Sequence, residues 1–189
     1  MQQTEKKKLL MLKLVLPEEK YWQSFQEGLL EYKNSPSPYD IQGIKKAFAF
    51  KNFAEYKSDC EDKRSGKNLP SDYVPNTYLW LIYNEKFIGI YDVRHNLTEY
   101  LKISGGHIAY SIIPSARRKG FAAQGLKLCC KYAHNKLNIK EVLISCNATN
   151  IASYKTMKKV MKEFGGIEDM PAMLDGHEEK RVWIRIVEA

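Results

Sequence analysis

Arg117-Arg118-Lys119-Gly120-Phe121-Ala122 sets three cations and a glycine just after an apolar run that ends at Pro114. The pattern His107 to Ala123 reads as a strand, a short turn and the start of a helix. A helix N-terminus leaves several N–H groups without internal partners and carries partial positive charge. A glycine at that point lets a phosphate approach the backbone closely. Gly120 and Ala122 provide that access, and Arg117, Arg118 and Lys119 add charge, so the segment suits a diphosphate. It is not a Walker loop, because no Gly-Lys-Ser/Thr follows. It is not a dinucleotide fingerprint, because the G-x-G-x-x-G spacing is absent.

The elements that must hold this turn are legible from periodicity. Residues 8–16 are short and apolar and predict an opening strand. Residues 17–33 predict a helix with Pro17 in its first turn and Tyr21, Phe25, Leu29 and Tyr32 on one face. Asn34 to Pro38 breaks it, and a second helix is expected across 41–63. Residues 67–76 carry two prolines and read as a loop. Strands are then expected at 77–83 and 86–93 around an Asn84-Glu85 turn, and at 107–113, with a helical turn at 96–104. A helix at 119–136, a strand at 141–146, a helix from 150 to 164 ending at Gly165-Gly166, and strands at 167–174 and 180–187 complete the series. The order β-α-α-β-β-β-α-β-α-β-β predicts the α/β (α+β) class, a mixed sheet covered by helices.

Length and composition narrow the function. A chain of 189 residues predicts one domain, 1–189. Its 44% hydrophobic and 28% charged residues exclude wholesale disorder. Its apolar runs are too short to span a bilayer, and the basic Lys6-Lys7-Lys8 start lacks a cleavage site, so no membrane and a cytoplasmic location are expected. Four cysteines without a CxxC spacing suit reduced thiols, and no metal site is expected. The net charge of +8 is spread along the chain rather than gathered in a nucleic-acid motif, so no nucleic acid is expected as partner.

The step Arg117-x-x-Gly120-x-Ala122 after a strand ending in proline resembles the cofactor motif of the GNAT (Gcn5-related) N-acetyltransferase superfamily. A second element supports it: after strand 141–146 come Asn150-Ile151-Ala152-Ser153 and a helix that ends in glycine. Asn68-Leu69-Pro70, Val74-Pro75-Asn76-Thr77, Val93-Arg94-His95-Asn96-Leu97 and Gly105-Gly106-His107-Ile108 extend the resemblance to a bacterial group of predicted acetyltransferases. The resemblance implies a mixed, mostly antiparallel sheet of six to seven strands, helices on both faces and a splayed strand pair, here 107–113 and 141–146.

It also implies an acetyl-CoA-dependent N-acetyltransferase, with direct attack of a primary amine in a ternary complex. The implied contacts for coenzyme A are the backbone of Ser111, Ile112 and Ile113 for the pantetheine arm. Arg117, Arg118, Lys119, Gly120, Phe121, Ala122 and Ala123 would take the pyrophosphate, and Asn150 and Ser153 would reach in from the next helix. The family's base position, ten residues before Arg117, falls on His107; His95 and Tyr110 are further candidates. Many members carry a tyrosine as leaving-group acid four residues before the helix-ending glycine. Met161 stands there, and Tyr154 is the substitute. Arg94, His95 and Tyr110 are expected toward the acceptor, which would be a small-molecule or protein amine; the protein would act as monomer or homodimer. The alternative is an inactive GNAT-fold module that senses acyl-CoA.

Overall fold

The hairpin expected around Asn84-Glu85 forms the centre of the fold. Strands β2 (Asn76–Tyr83) and β3 (Lys86–Arg94) pair antiparallel, closing at Tyr83↔Lys86. Asn84 and Glu85 both take positive φ, 49° and 58°, the backbone of a tight two-residue turn whose twist matches the strands. β2 is buried along nearly its whole length. The computed structural model describes residues 12–186. Around the hairpin lie β1 (Lys13–Val15) and β4 (Ile108–Ile112), giving a first sheet of order β1-β2-β3-β4.

Its two faces are covered differently. Helix α1 (Trp22–Asn34) lays Phe25 on Trp80, with ring centroids 4.4 Å apart, and sets it edge-on to Phe87. Helix α3 (Phe53–Ser65) adds Tyr56, whose hydroxyl accepts from the Trp80 indole. On the other face helix α5 (Phe121–Leu137) closes on Tyr91, whose hydroxyl donates to Ala122 C=O at 2.8 Å. Trp80 and Tyr91 point oppositely because successive strand residues alternate between faces.

A second sheet holds β5 (Glu141–Asn147), β6 (Ile167–Glu168), β7 (Ala172–Leu174) and β8 (His177–Arg185). Its order is β5-β8-β6, with β7 also on β8. Val142, Ile144, Val182 and Ile184 bury one face beside Met157, Val160 and Met161 of helix α6 (Ile151–Phe164). The α/β class with helices on both faces matches expectation. The strand number does not: eight strands occur among the described residues, and every pairing between them is antiparallel.

Several boundaries also move. The helix expected at 41–63 is two, α2 (Gln42–Ala47) and α3. The cause is Asn52, whose side chain accepts from Glu55 N–H at 2.9 Å, while Glu55 reaches back to Lys51 N–H. A 3-10 turn at Glu19–Tyr21 precedes α1, leaving Pro17 outside the helix. The 167–174 strand breaks at Asp169-Met170-Pro171, where Asp169 accepts from Trp183 Nε1 and pairs with Arg181. The final strand starts earlier than expected, at His177 after the positive-φ turn Asp175-Gly176. The helical turn near 96–104 is α4 (Glu99–Ile103), capped by Thr98. Residues 8–11 and 187 of the expected end strands lie outside the described residues.

The two sheets meet along one short joint. Residues 105–107 run against β5, with an isolated bridge Gly106↔Ile144 and His107 N–H donating to Leu143 C=O at 2.7 Å. Gly106 has φ 59°, and a Cβ there would meet the Leu143 carbonyl. Gly106→Ala therefore adds backbone strain to overpacking, and an expected loss of about 1–3 kcal/mol follows from the overpacking alone. Urea unfolding followed by circular dichroism measures it; an unchanged midpoint would show that the joint yields freely.

Candidate active site

Pro114–Ala116 form a 3-10 turn after β4, and Arg117 closes it through its N–H to Pro114 C=O. Arg118 then takes φ 60° and Gly120 φ 81°, so the chain doubles back into α5. No side chain caps that helix. The first backbone hydrogen bond into its first turn is Gln124 N–H to Gly120 C=O. Among the described residues, the amides of Arg118, Lys119, Gly120, Phe121, Ala122 and Ala123 have no acceptor. Arg118, Lys119 and Gly120 are exposed. The nearest heavy atom to a Cβ on Gly120 would be Gln124 Nε2, at 3.8 Å, so the space before the helix is open. Unpartnered donors, a helix N-terminus and room for an oxyanion fit a pyrophosphate.

The cations divide. Arg118 and Lys119 lie at the surface, with Lys119 Nζ on Ser115 C=O. Arg117 turns inward instead: its Nε donates to Ile112 C=O at 2.9 Å and its NH2 to Asp40 at 3.4 Å, and it rests over the Tyr32 ring. Its side chain braces the loop from beneath.

Beside the loop, β4 and β5 are the edges of their sheets and pair with each other only through the Gly106 joint. Ile113 N–H donates to Ile88 C=O and His107 C=O accepts from Arg94 N–H. By antiparallel alternation Ser111 and Ile113 spend their backbone groups on β3, whereas Tyr110 and Ile112 face the gap. Of the three residues expected to pair with a pantetheine arm, the register therefore turns Ile112 alone outward, and it adds Tyr110. The Ser111 hydroxyl donates to Asp40. Tyr39, next to Asp40, shares a 2.7 Å hydrogen bond with Thr149 beyond β5, so residues 39–40 cross from one strand's side to the other's.

The expected catalytic residues separate in space. His107 is buried, and its Nδ1 accepts from Leu143 N–H at 3.0 Å. Burial, with the Arg94 guanidinium nearby, pushes its pKa down to about 4. An Nδ1 acceptor leaves the ring proton on Nε2, so the neutral ring offers a donor there and no free lone pair. Tyr154 donates to Glu168 at the surface, with Lys158 over its ring. Tyr110 stacks on Tyr91 and its hydroxyl lies 3.0 Å from Ser153 Oγ, with burial raising its pKa. Asn150 caps α6 by accepting from Ser153 N–H at 3.2 Å. Arg94 braces the joint through Gly105 and Gly106 carbonyls, and His95 Nε2 pairs with Thr77 Oγ1.

Three inward carboxylates carry no signal in the sequence pattern. Asp40 lies by Arg117. Asp92 is buried, receives Asn76 Nδ2 at 2.5 Å and lies 3.6 Å from Arg94; burial raises its pKa. Glu179 is buried on β8, and burial raises its pKa as well. No helix among the described residues is long and apolar enough to cross a membrane.

A strand–turn–helix with free amides thus lies beside two separated strand edges. A family model described as an acetyltransferase (GNAT) domain matches residues 18–160, and the chain belongs to that family. The uncharacterized N-acetyltransferase YnaD of Bacillus subtilis (strain 168) is 28% identical over 64 residues, covering 32% of this chain and 38% of YnaD, so the match spans well under half of that relative. Among solved structures, RimL, a ribosomal L7/L12 alpha-N-protein acetyltransferase in complex with coenzyme A, superposes with a TM-score of 0.62 at 14% identity, covering 93% and 94% of the two chains. The microcin C7 self-immunity acetyltransferase MccE, with acetyl-CoA and AMP, gives 0.60 at 18% identity, covering 93% and 92%. A spermidine N-acetyltransferase chimera of Vibrio cholerae SpeG and hSSAT gives 0.57 at 14% identity, covering 92% and 95%.

Two outcomes follow. Gly120→Glu forces a side chain into left-handed backbone and sets a carboxylate where the phosphates would lie; acetyl-CoA affinity should fall at least 100-fold by calorimetry, roughly 3 kcal/mol. Retained affinity would exclude this loop. For His107, the folded pKa lies below the unfolded value, so its neutral burial favours folding above about pH 6.5. That contribution is lost as pH falls toward 4, by up to about 3 kcal/mol. Denaturation midpoints of the protein and of His107→Asn, compared from pH 7.5 to 4.5, should converge at the acid end; parallel curves would refute the buried neutral ring.

Proposed function

We propose that residues 1–189 form a single acetyltransferase domain that binds acetyl-CoA and transfers the acetyl group to a primary amine on a small molecule or a protein. The observation that carries this reading is the run of six unpartnered amides from Arg118 to Ala123 at the open start of α5. Family membership and the coenzyme A and acetyl-CoA complexes of RimL and MccE support it. The backbone of Arg118 to Ala123 would hold the pyrophosphate, with Arg118 and Lys119 supplying charge. The outward backbone of Tyr110 and the Ile112 N–H would hold the pantetheine amides, the Ile112 carbonyl being taken by Arg117. When bound, acetyl-CoA supplies an activated thioester carbonyl at the gap.

In this reading the chain's own groups orient and move protons. His107 ties β4 to β5 through Leu143 N–H and holds the gap at its closed end; with Nδ1 committed, it is a positioning residue and not the base. Tyr110 replaces Tyr154 as the donor to the leaving thiolate, because its hydroxyl meets Ser153 at the start of α6 while that of Tyr154 is spent on Glu168. Asp40 and Tyr39 roof the gap and orient Arg117 below the loop.

The test is release of free thiol from acetyl-CoA across a panel of amines, with mass spectrometry of the acetylated product. Turnover of at least one amine is expected. Binding of acetyl-CoA without thiol release from any amine would favour the sensor module. Tyr110→Phe should lower kcat about 10-fold or more with acetyl-CoA affinity unchanged, as loss of a general acid does; Tyr154→Phe should leave kcat unchanged. The reverse result would return the acid role to Tyr154.

A further inference from the structure

Arg94 ends β3, and its guanidinium is committed inside the fold rather than to an acceptor. Nη1 donates to the carbonyls of Gly105 and Gly106, both at 3.0 Å. Nη2 lies 3.6 Å from Asp92, two residues back on the same face of the strand. Asp92 is buried, and Asn76 Nδ2 donates to it at 2.5 Å. A buried carboxylate without a partner would be costly, so Asp92 and Arg94 hold each other in place. The pair runs from the interior of the first sheet to the turn that precedes β4.

That turn is the joint between the sheets. Gly105 and Gly106 take φ 102° and 59°. Gly105 N–H donates to Ser145 Oγ at 2.6 Å, and Gly106 N–H to Leu101 C=O at 2.9 Å. Their carbonyls converge on one nitrogen of Arg94, and its positive charge offsets the repulsion between them. A Cβ on Gly105 would stand 3.4 Å from that nitrogen, so the guanidinium packs directly on glycine backbone. The main-chain N–H of Arg94 donates to His107 C=O at 2.8 Å. One residue thus holds the successive carbonyls of Gly105, Gly106 and His107. A lysine could not replace it, because an ammonium lacks the planar fork that reaches two carbonyls and a carboxylate together.

The joint and the phosphate loop stand at opposite ends of β4. The strand has five residues, which at about 3.4 Å each set the two ends roughly 17 Å apart. In the transferase reading the pantetheine arm runs from the loop along β4, which brings the thioester toward the joint. We propose that Arg94 is a positioning residue for acetyl transfer. By fixing the three carbonyls it sets where β4 parts from β5, and so where the thioester carbonyl meets the amine. It takes no proton and touches no substrate. This inference rests on the transferase reading above.

The experiment compares the protein with Arg94→Ala and Arg94→Lys, using acetyl-CoA with spermidine and with a short peptide bearing a free α-amine. Arg94→Ala should lower kcat about 100-fold, the scale of a misplacement of roughly 1 Å remote from the chemistry. Acetyl-CoA affinity by calorimetry should be unchanged, because the loop lies at the other end of β4. Added guanidinium should restore part of the lost kcat to Arg94→Ala. Arg94→Lys keeps the charge and carries the test if Arg94→Ala does not fold; it should lose kcat with acetyl-CoA affinity intact. Independently of turnover, hydrogen exchange at the Leu143 amide, which His107 Nδ1 accepts, should speed up in both variants without acetyl-CoA. Wild-type kcat in the folded variants, or a loss of acetyl-CoA affinity that matches the loss of kcat, overturns the proposal and leaves the transferase reading standing. Wild-type silence toward every amine overturns both.

Discussion

The structure depends on a joint of a few hydrogen bonds. His107 donates its backbone N–H to Leu143 C=O and accepts Leu143 N–H on its ring, and Gly106 presses against the same strand. These contacts fasten the edge of one sheet to the edge of the other at a single level and nowhere further along. An edge strand with free N–H and C=O groups is ordinarily a hazard, because it invites pairing with another chain. Here two such edges face each other and, beyond the bridge of Gly106 to Ile144, do not pair. In the proposed reading the unpaired stretch is where a ligand with amides of its own would lie.

The electrostatics of the slot differ from those of the chain. The net charge is +8, yet the carboxylates of Asp40, Asp92 and Glu179 point inward. The basic residues that matter near the loop are few, and Arg117 is spent on holding the loop rather than on facing solvent. In the proposed reading the attraction for an anion would come mainly from backbone dipoles at the start of α5, which are fixed in direction and lose no side-chain entropy on binding. The acidic groups lie on the strands behind. In the proposed reading, this separates the loop that would take the phosphates from the acidic groups behind it.

Much of this was legible. The β2–β3 hairpin, the α5 and α6 helices and the turn at Gly120 rest on local rules: alternation, a two-residue turn, a helix-ending glycine. The split between α2 and α3 was equally local and was missed, because Asn52-x-x-Glu55 is a helix start signal buried within a longer apolar pattern. Asp175-Gly176, a strong hairpin dipeptide, falls in the gap between the expected strands 167–174 and 180–187, and β7 and β8 pair right up to it. Which neighbour each strand takes was not legible, since no local pattern states it; the mostly antiparallel sheet that the resemblance implied is found, with eight strands among the described residues in place of six or seven.

The chain's order of residues determined by itself where a phosphate could approach: a strand, a proline, a glycine and a helix start are consecutive, and their geometry is set within a few peptide units. Only the tertiary structure decided which side chains lie there. His107 became a tether and Tyr154 a surface residue, while Tyr110 met Ser153 of α6. A hydrogen bond between residues tens of positions apart depends on packing that no spacing rule encodes, and burial together with the charges and donors beside it determines whether a carboxylate or an imidazole holds its proton.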